Sequence, residues 1–191
     1  MRAETLIADL IDRTRANMNR AEALRQLPLS ALNARTAPER WSALECIEHL
    51  NRYGRFYLPE IEQRMKASRH PASPDFRSGW LGNYFAKALA PKEKLNHMKT
   101  FSTMDPKGSA LDAGVLDVFL QQQQQMLLLL DRARRTDLSR VRTAVSFMPL
   151  LRLRLGDTFR VVIYHNERHL GQAEREAAGL AHERSLAGNA Q

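Results

Sequence analysis

Four segments of the chain repeat apolar residues every three to four positions, the spacing that places them on one face of an α-helix. The predicted helices span residues 4–26, 42–68, 111–135 and 156–180. The second has the clearest start, because Ser42 is followed three positions later by Glu45, the pattern of a capping box. We find no alternating stretch long enough to predict a β-strand. The sequence therefore predicts an all-α fold, a bundle of four helices.

Two long connections join these helices. Residues 70–107 are interrupted by prolines and glycines and predict one short helix, from Trp80 to Leu89. A connection of this length is usually a functional loop or a crossover between distant elements. Residues 136–155 form the second connection. We assign residues 1–182 to a single domain and the glycine- and alanine-rich residues 183–191 to a flexible C-terminal tail.

The cysteine content and the short apolar segments indicate the cellular compartment of the protein. Cys46 is the only cysteine, so no intrachain disulfide can form, and a reducing compartment is the natural setting. Residues 1–20 are amphipathic and lack the apolar core of a secretory signal. No segment approaches the roughly 18 apolar residues of a membrane span. We therefore expect a cytoplasmic protein with no membrane partner.

The net charge of +8 raises the question of nucleic acid. Part of this charge lies between Asp131 and Arg160, where eight arginines accompany three aspartates. Such a surface attracts phosphates. No recognition helix, zinc finger or RNA-binding signature accompanies it. A nucleic-acid-associated factor is therefore the least favoured interpretation.

Three histidines form the candidate functional site. His165 and His169 are four residues apart in the fourth predicted helix, so both project from one side and can reach one metal ion. His49 lies among apolar residues of the second helix, where a buried imidazole needs hydrogen-bond partners. Facing helices of a bundle bring such a residue opposite an i, i+4 pair. Three protein ligands leave a coordination position open, as in catalytic zinc sites.

The histidine pair by itself is also compatible with two polar residues on an ordinary helix face. The other histidines, His70, His97 and His182, lie in predicted loops or at a helix end, and we interpret them as solvated. Cys46 is offset from His49 by about 60° around the helix, so we assign it to core packing rather than to metal ligation.

Two motifs of the chain resemble the DinB-like superfamily, its second branch in particular. WSALECIEHL, residues 41–50, resembles the W-S-x-x-E-x-x-x-H-L helix start of that family. HNERHLGQ, residues 165–172, resembles its H-x-x-R-H-x-x-Q segment. In the family these motifs supply the metal-binding histidines, which correspond here to His49, His165 and His169. The resemblance extends over residues 6–175 and is poorest over residues 69–108.

The resemblance implies a specific architecture and a specific kind of metal. It implies an up-down-down-up bundle of four helices with a long crossover between the second and third. It also implies a zinc or nickel ion held by the three histidines, and frequent homodimers. From the residues alone, three imidazole nitrogens suit iron or copper as well.

Two residues are candidates to support the metal ligands. Tyr53 shares the helix face of His49 and offers a phenol to a bound substrate or water, although plain packing is also compatible with this position. Gln172 lies near the face of His165 and is a candidate acceptor for the second N–H of a metal-bound histidine. Glu45 is best explained by the capping box.

An open site of three histidines permits two reactions. The metal can lower the pKa of bound water for hydrolysis, or bind a thiol as a thiolate for transfer to an electrophile. The resemblance implies both, because the superfamily includes thiol-dependent S-transferases and proteins described as metal-dependent hydrolases. We expect one of these two activities on a small-molecule substrate, with a low-molecular-weight thiol as one candidate and no catalytic residue assigned. A non-catalytic, stress-related metal-binding protein is the alternative.

Overall fold

The structure, a computed structural model, describes residues 1–90, 100–146 and 148–188, with side chains through residue 179 except that of residue 149. It contains helices α1 (Ala3–Arg25), α2 (Leu29–Asn33), α3 (Ala43–Ala67), α4 (Trp80–Leu89), α5 (Gly114–Ala133) and α6 (Leu155–Gly188). A short 3-10 helix (Ser102–Met104) precedes α5. The four long predicted helices correspond to α1, α3, α5 and α6, and α4 has the predicted bounds. His97 lies outside the described residues, and the flexible tail at 183–191 stays a prediction.

The long helices pack on one another through their apolar faces. α1 and α3 each contact both α5 and α6. Two clusters of buried side chains fill the space between them, one around Leu10, Ile61 and Phe159 and the other around Leu44, Phe119 and Leu170. The prediction of a mostly helical fold is therefore confirmed. None of the helices in the described part of the chain combines the length and the apolar composition that a membrane crossing requires.

The expectation of an all-α fold is wrong in one place, the connection before α6. Two strands, β1 (Arg142–Val145) and β2 (Met148–Arg154), pair antiparallel, with Thr143 opposite Leu153. The register shifts between Ala144 and Val145, so that Val145 lies opposite Met148. The inner face of this hairpin is buried, because Thr143, Val145 and Leu153 are at most 3 % exposed. The sequence contains the signal, since residues 151–155 read Leu-Arg-Leu-Arg-Leu. In β1 the same alternation is not visible in the sequence, because the polar Thr143 occupies a buried position. Its hydroxyl forms a hydrogen bond with the Thr158 hydroxyl of α6 at 2.6 Å.

Helix α4 lies against the beginning of α6 because glycine allows a close approach. A Cβ atom on Gly82 would come within 2.5 Å of the Asp157 side chain. The Asp157 carboxylate is fully buried and accepts hydrogen bonds from Ser78, from the Gly79 N–H at 2.7 Å and from Arg160 at 3.2 Å. The long connection after α3 is thus attached to α6 through one carboxylate.

The predicted capping box at the start of α3 is confirmed and is part of a larger network. The Glu45 carboxylate accepts from the Ser42 N–H at 2.8 Å, while the Ser42 hydroxyl accepts from the Glu45 N–H. The same carboxylate accepts two hydrogen bonds from Arg35 and one from the Gly108 N–H. Burial by itself raises the pKa of Glu45, but these hydrogen bonds, that of Arg35 first, outweigh it and hold the pKa below its ordinary value. Glu45 therefore ties two distant loops to α3.

We predict that Glu45→Gln destabilises the protein by about 2–3 kcal/mol at neutral pH, because it breaks a buried, charge-assisted network. A carboxyl group whose pKa is lowered by folding stabilises above its unfolded pKa and loses that contribution as the pH falls through its folded pKa. The difference in the free energy of unfolding between wild type and variant should therefore become smaller at acidic pH. Urea unfolding at neutral and acidic pH measures both values. Glu39→Gln, an exposed change, is the control, and an equal loss in both variants would contradict the prediction.

Candidate metal centre

The packing of α3 against α6 brings the three predicted histidines together. One ring nitrogen from each of His49, His165 and His169 lies within 4.8 Å of the others. The Nε2 atoms of His49 and His165 are 3.2 Å apart. His49 is 2 % exposed, while His165 and His169 are half-buried. The spacing of four residues predicted that His165 and His169 lie on the same side of α6. The packing of α3 on α6 places His49 opposite them.

Hydrogen bonds orient two of the three rings. The Nδ1–H of His49 donates to the backbone carbonyl of Met104 at 2.7 Å. The Nδ1–H of His169 donates to the Oε1 atom of Gln172 at 3.0 Å. Because both acceptors are oxygens without a proton, Nδ1 carries the hydrogen in each ring, and Nε2 presents its lone pair to the centre of the cluster. Gln172, which the sequence placed near the face of His165, thus accepts from His169 in the structure, and its role in supporting a metal ligand stays a prediction.

The segment carrying Met104 is held over His49 by two further side chains. Arg52 donates to the carbonyl oxygens of Asp105 at 2.8 Å and of Thr103 at 3.4 Å. The indole N–H of Trp41 donates to the Asp105 carboxylate at 3.1 Å. The Trp41 ring also packs 4.7 Å from the His49 ring and 5.8 Å from the His169 ring, centroid to centroid. Trp41 therefore forms one wall of the site and fastens the loop above it.

Tyr53 forms a second wall. Its ring lies 4.9 Å from that of His49 and 4.8 Å from that of His165, and it stacks on Tyr57. Burial raises the pKa of Tyr53 to about 12, so the phenol keeps its proton at neutral pH. The side chain that the sequence singled out is thus beside the imidazoles and able to donate a hydrogen bond.

Two other side chains near the ligands take no part in the cluster. Glu45 is occupied by the capping box, Arg35 and Gly108, as the sequence interpretation expected. Cys46 is fully buried, and burial raises the pKa of its thiol above the ordinary value. A buried thiol of this kind keeps its proton, which supports the assignment of Cys46 to core packing.

Burial keeps the three imidazoles neutral. It lowers the pKa of His49 to about 4, and, together with the neighbouring His49, it lowers the pKa of His169 to about 3. Burial and the two neighbouring histidines lower the pKa of His165 well below its usual range. Since a metal ion binds the neutral form of histidine, the folded chain holds the cluster in the protonation state that ligation needs.

The donor set fits a divalent transition-metal ion with an open position. Within the described residues no carboxylate or thiolate joins the three histidines, so the cluster offers three protein ligands. Structural zinc sites close all four positions with protein ligands, whereas catalytic sites leave one for water or substrate. Three imidazole nitrogens suit zinc, nickel, iron and copper.

Two parts of the site could not be found from the sequence. The Met104 carbonyl is a backbone acceptor, and backbone acceptors leave no residue-type signal. Arg52 acts by holding that backbone in place, and in the sequence it is one more arginine among many. Both depend on how the connection between α4 and α5 folds back over α3.

We predict that the metal-free protein loses stability as the pH falls from 6.5 towards 4. The pKa of these imidazoles is lower in the folded chain than in the unfolded chain, so the unfolded state binds protons more tightly and gains from acid. Each buried imidazole should contribute about 2 kcal/mol of this loss by about pH 5. Urea unfolding across this range measures it, and His49→Gln should show a smaller loss. A stability that does not change with pH over this range would contradict the prediction.

Comparison with known proteins identifies the family of the chain. No curated protein and no solved structure matches the chain. The family model of the DinB superfamily matches residues 10–173, which include all three histidines. Because the match covers most of the chain, the protein belongs to the DinB superfamily.

Proposed function

We propose that the protein binds one divalent metal ion through His49, His165 and His169 and uses it as a metal-dependent enzyme on a small-molecule substrate. One observation carries the proposal: three neutral imidazoles converge within 4.8 Å, and no fourth protein ligand joins them in the described part of the chain. A metal ion held by three protein ligands has a fourth position at which water or a substrate can bind and exchange. Zinc or nickel is the proposed ion, and iron or copper fits the same donors.

When bound, such an ion acts as a Lewis acid that lowers the pKa of a coordinated water or thiol. The side chains around the site would supply the rest. Trp41 and the loop at residues 103–105 restrict water on one side, and the Tyr53 phenol can donate a hydrogen bond to a ligand in the open position. The two reactions proposed are transfer of a thiol to an electrophile and hydrolysis.

A non-catalytic metal-binding protein is the second candidate. One observation favours it: in the described residues, no carboxylate lies close enough to the histidines to join the cluster, and the nearby Glu45 is fully engaged elsewhere. Such a protein would hold its metal without turnover. The presence or absence of a reaction separates the two candidates.

The remaining family features are part of the same proposal. We propose that α1, α3, α5 and α6 form an up-down-down-up four-helix bundle, which is supported by the contacts of α1 and α3 with both α5 and α6. A homodimer and a cytoplasmic location are proposed from the resemblance and from the single buried cysteine.

We predict that purified protein contains close to one equivalent of metal, and that His49→Ala and His169→Ala each lose most of it, because two imidazoles alone bind weakly. Elemental analysis of the purified proteins, followed by titration with zinc and nickel, is the measurement. His70→Ala removes an exposed histidine and is the matched control. Undiminished metal in both site variants would refute the site.

Activity is tested on the same metal-loaded samples. A panel of low-molecular-weight thiols with an electrophilic dye tests S-transfer, and a panel of activated esters and amides tests hydrolysis. Turnover that disappears in His169→Ala and persists in His70→Ala supports the enzyme. Full metal occupancy without turnover in either panel favours the non-catalytic candidate.

We predict that Arg52→Ala weakens metal binding by about tenfold, because the Met104 carbonyl would no longer be held against His49 Nδ1. Arg55→Ala is the matched control. Arg52 and Arg55 both pair with the Glu48 carboxylate, at 3.3 and 2.9 Å, but Arg55 has no hydrogen bond to residues 103–105 in the described structure. Competition with a chromophoric chelator gives both affinities. Equal affinities in the two variants would show that Arg52 does not position His49.

A further inference from the structure

One face of the β-hairpin and the neighbouring start of α4 form a surface that the proposed metal site does not use. We name it the hairpin surface; its members are Arg77, Trp80, Arg140, Arg142, Met148, Leu150, Arg152 and Arg154. Alternate residues of a regular strand point to one face, so Arg152 and Arg154 share the outer side of β2. The strand register shifts between Arg152 and Met148, and Leu150 lies in this irregular part of β2. Arg142 is opposite Arg154 in the hairpin register and lies on the same face.

Hydrogen bonds bring together the chain segments that carry these arginines. Arg154 donates to the carbonyl of Arg77, and the Arg77 N–H donates to the Ser139 hydroxyl at 2.9 Å. Arg140 follows Ser139 directly in the chain. The segment before α4, the segment before β1 and the end of β2 therefore meet at a single basic cluster.

Few carboxylates neutralise this cluster. Residues 138–156 contain four arginines and no acidic residue. Within the described residues, Arg77, Arg140 and Arg142 form no ion pair with a carboxylate. Glu60 lies beside Arg152, which helps to lower the pKa of Glu60, and Asp157 is buried and occupied by Ser78, Gly79 and Arg160. The surface keeps a net positive charge.

Large apolar side chains project into solvent beside these arginines. Leu150 is 96 % exposed, Trp80 85 % and Met148 49 %. Leu150 and Met148 lie towards the tip of the hairpin and the arginines towards its base. With a rise of at most about 3.3 Å per residue, Arg152 lies no more than about 7 Å and Arg154 no more than about 13 Å behind Leu150 along β2.

The positive charge of the arginines and the exposed apolar side chains at the hairpin tip together indicate which kind of partner this surface binds. A second copy of the chain would bring its own positive charge, since the protein carries +8, and would be repelled at this face. A nucleic acid would pair with the arginines but leave Leu150 and Met148 in water. An anionic phospholipid surface offers phosphates for the arginines and, about 5–10 Å deeper, hydrocarbon for the aliphatic tip.

We propose that the hairpin surface docks on an anionic phospholipid membrane, with Leu150 inserted below the headgroups and Arg140, Arg142 and Arg152 at the phosphates. The expectation of no membrane partner rested on the absence of a membrane-spanning segment. Docking on the surface of a membrane does not require such a segment. The proposal is independent of the metal site.

Vesicle binding of the full chain tests the proposal. Co-sedimentation is measured with vesicles of phosphatidylcholine mixed with phosphatidylserine and with vesicles of phosphatidylcholine alone. We expect binding to the mixed vesicles only, weakened by salt. Arg142→Gln should reduce it about fivefold and Leu150→Ser about tenfold. The matched controls are Arg15→Gln on α1 and Leu128→Ser on α5, which change side chains 67 % and 60 % exposed and should bind as wild type does.

Three results would overturn the proposal. The first is no binding of the wild type to the mixed vesicles at low salt. The second is an equal loss in the hairpin variants and in their controls. The third is binding of duplex DNA that outcompetes the vesicles and is unchanged in Leu150→Ser, which would assign the surface to nucleic acid. Circular dichroism and metal content of each variant confirm that a loss does not come from unfolding.

Discussion

The contact between α3 and α6 creates the candidate metal site of this protein. It places His49 against His165 and His169, and it buries all three rings deeply enough that charging them is unfavourable. The Nε2 atoms of His49 and His169 carry lone pairs, because the Nδ1 atom of each ring donates a hydrogen bond, and the Nε2 atom of His165 lies 3.2 Å from that of His49. Burying these rings costs free energy unless their polar atoms have partners. Met104 and Gln172 accept hydrogen bonds from two of the rings, and a bound metal ion would supply a partner for the remaining ring nitrogens.

Buried carboxylates attach the irregular parts of the chain to this helical core. Glu45 connects Arg35 and Gly108 to the start of α3, and Asp157 connects residues 78 and 79 to the start of α6. Each is buried, and each is compensated by a guanidinium and by N–H or O–H donors. A buried carboxylate with these partners favours one loop conformation, because any other conformation would leave the buried charge without hydrogen-bond donors.

The hairpin is the clearest difference between expectation and structure. The alternation in residues 151–155 was present in the sequence, but a polar Thr143 at a buried position and an apolar Leu150 in solvent contradict the usual pattern on both strands. Thr143 is explained by its partner Thr158. Leu150 lies where the register of β2 is irregular and is exposed to solvent, which suits the proposed contact with a membrane surface.

The sequence by itself determined the long helices, the capping box at Ser42 and Glu45, and the identity of the three histidines. These depend on local periodicity and on spacings within one helix, which a sequence records directly. Only the tertiary structure decided that His49 Nδ1 binds the Met104 carbonyl, that Arg52 and Trp41 hold that loop in place, and that the second connection is a hairpin. These features join residues far apart in the chain through backbone atoms and long side chains, and their partners are set by how the connections fold over the helices.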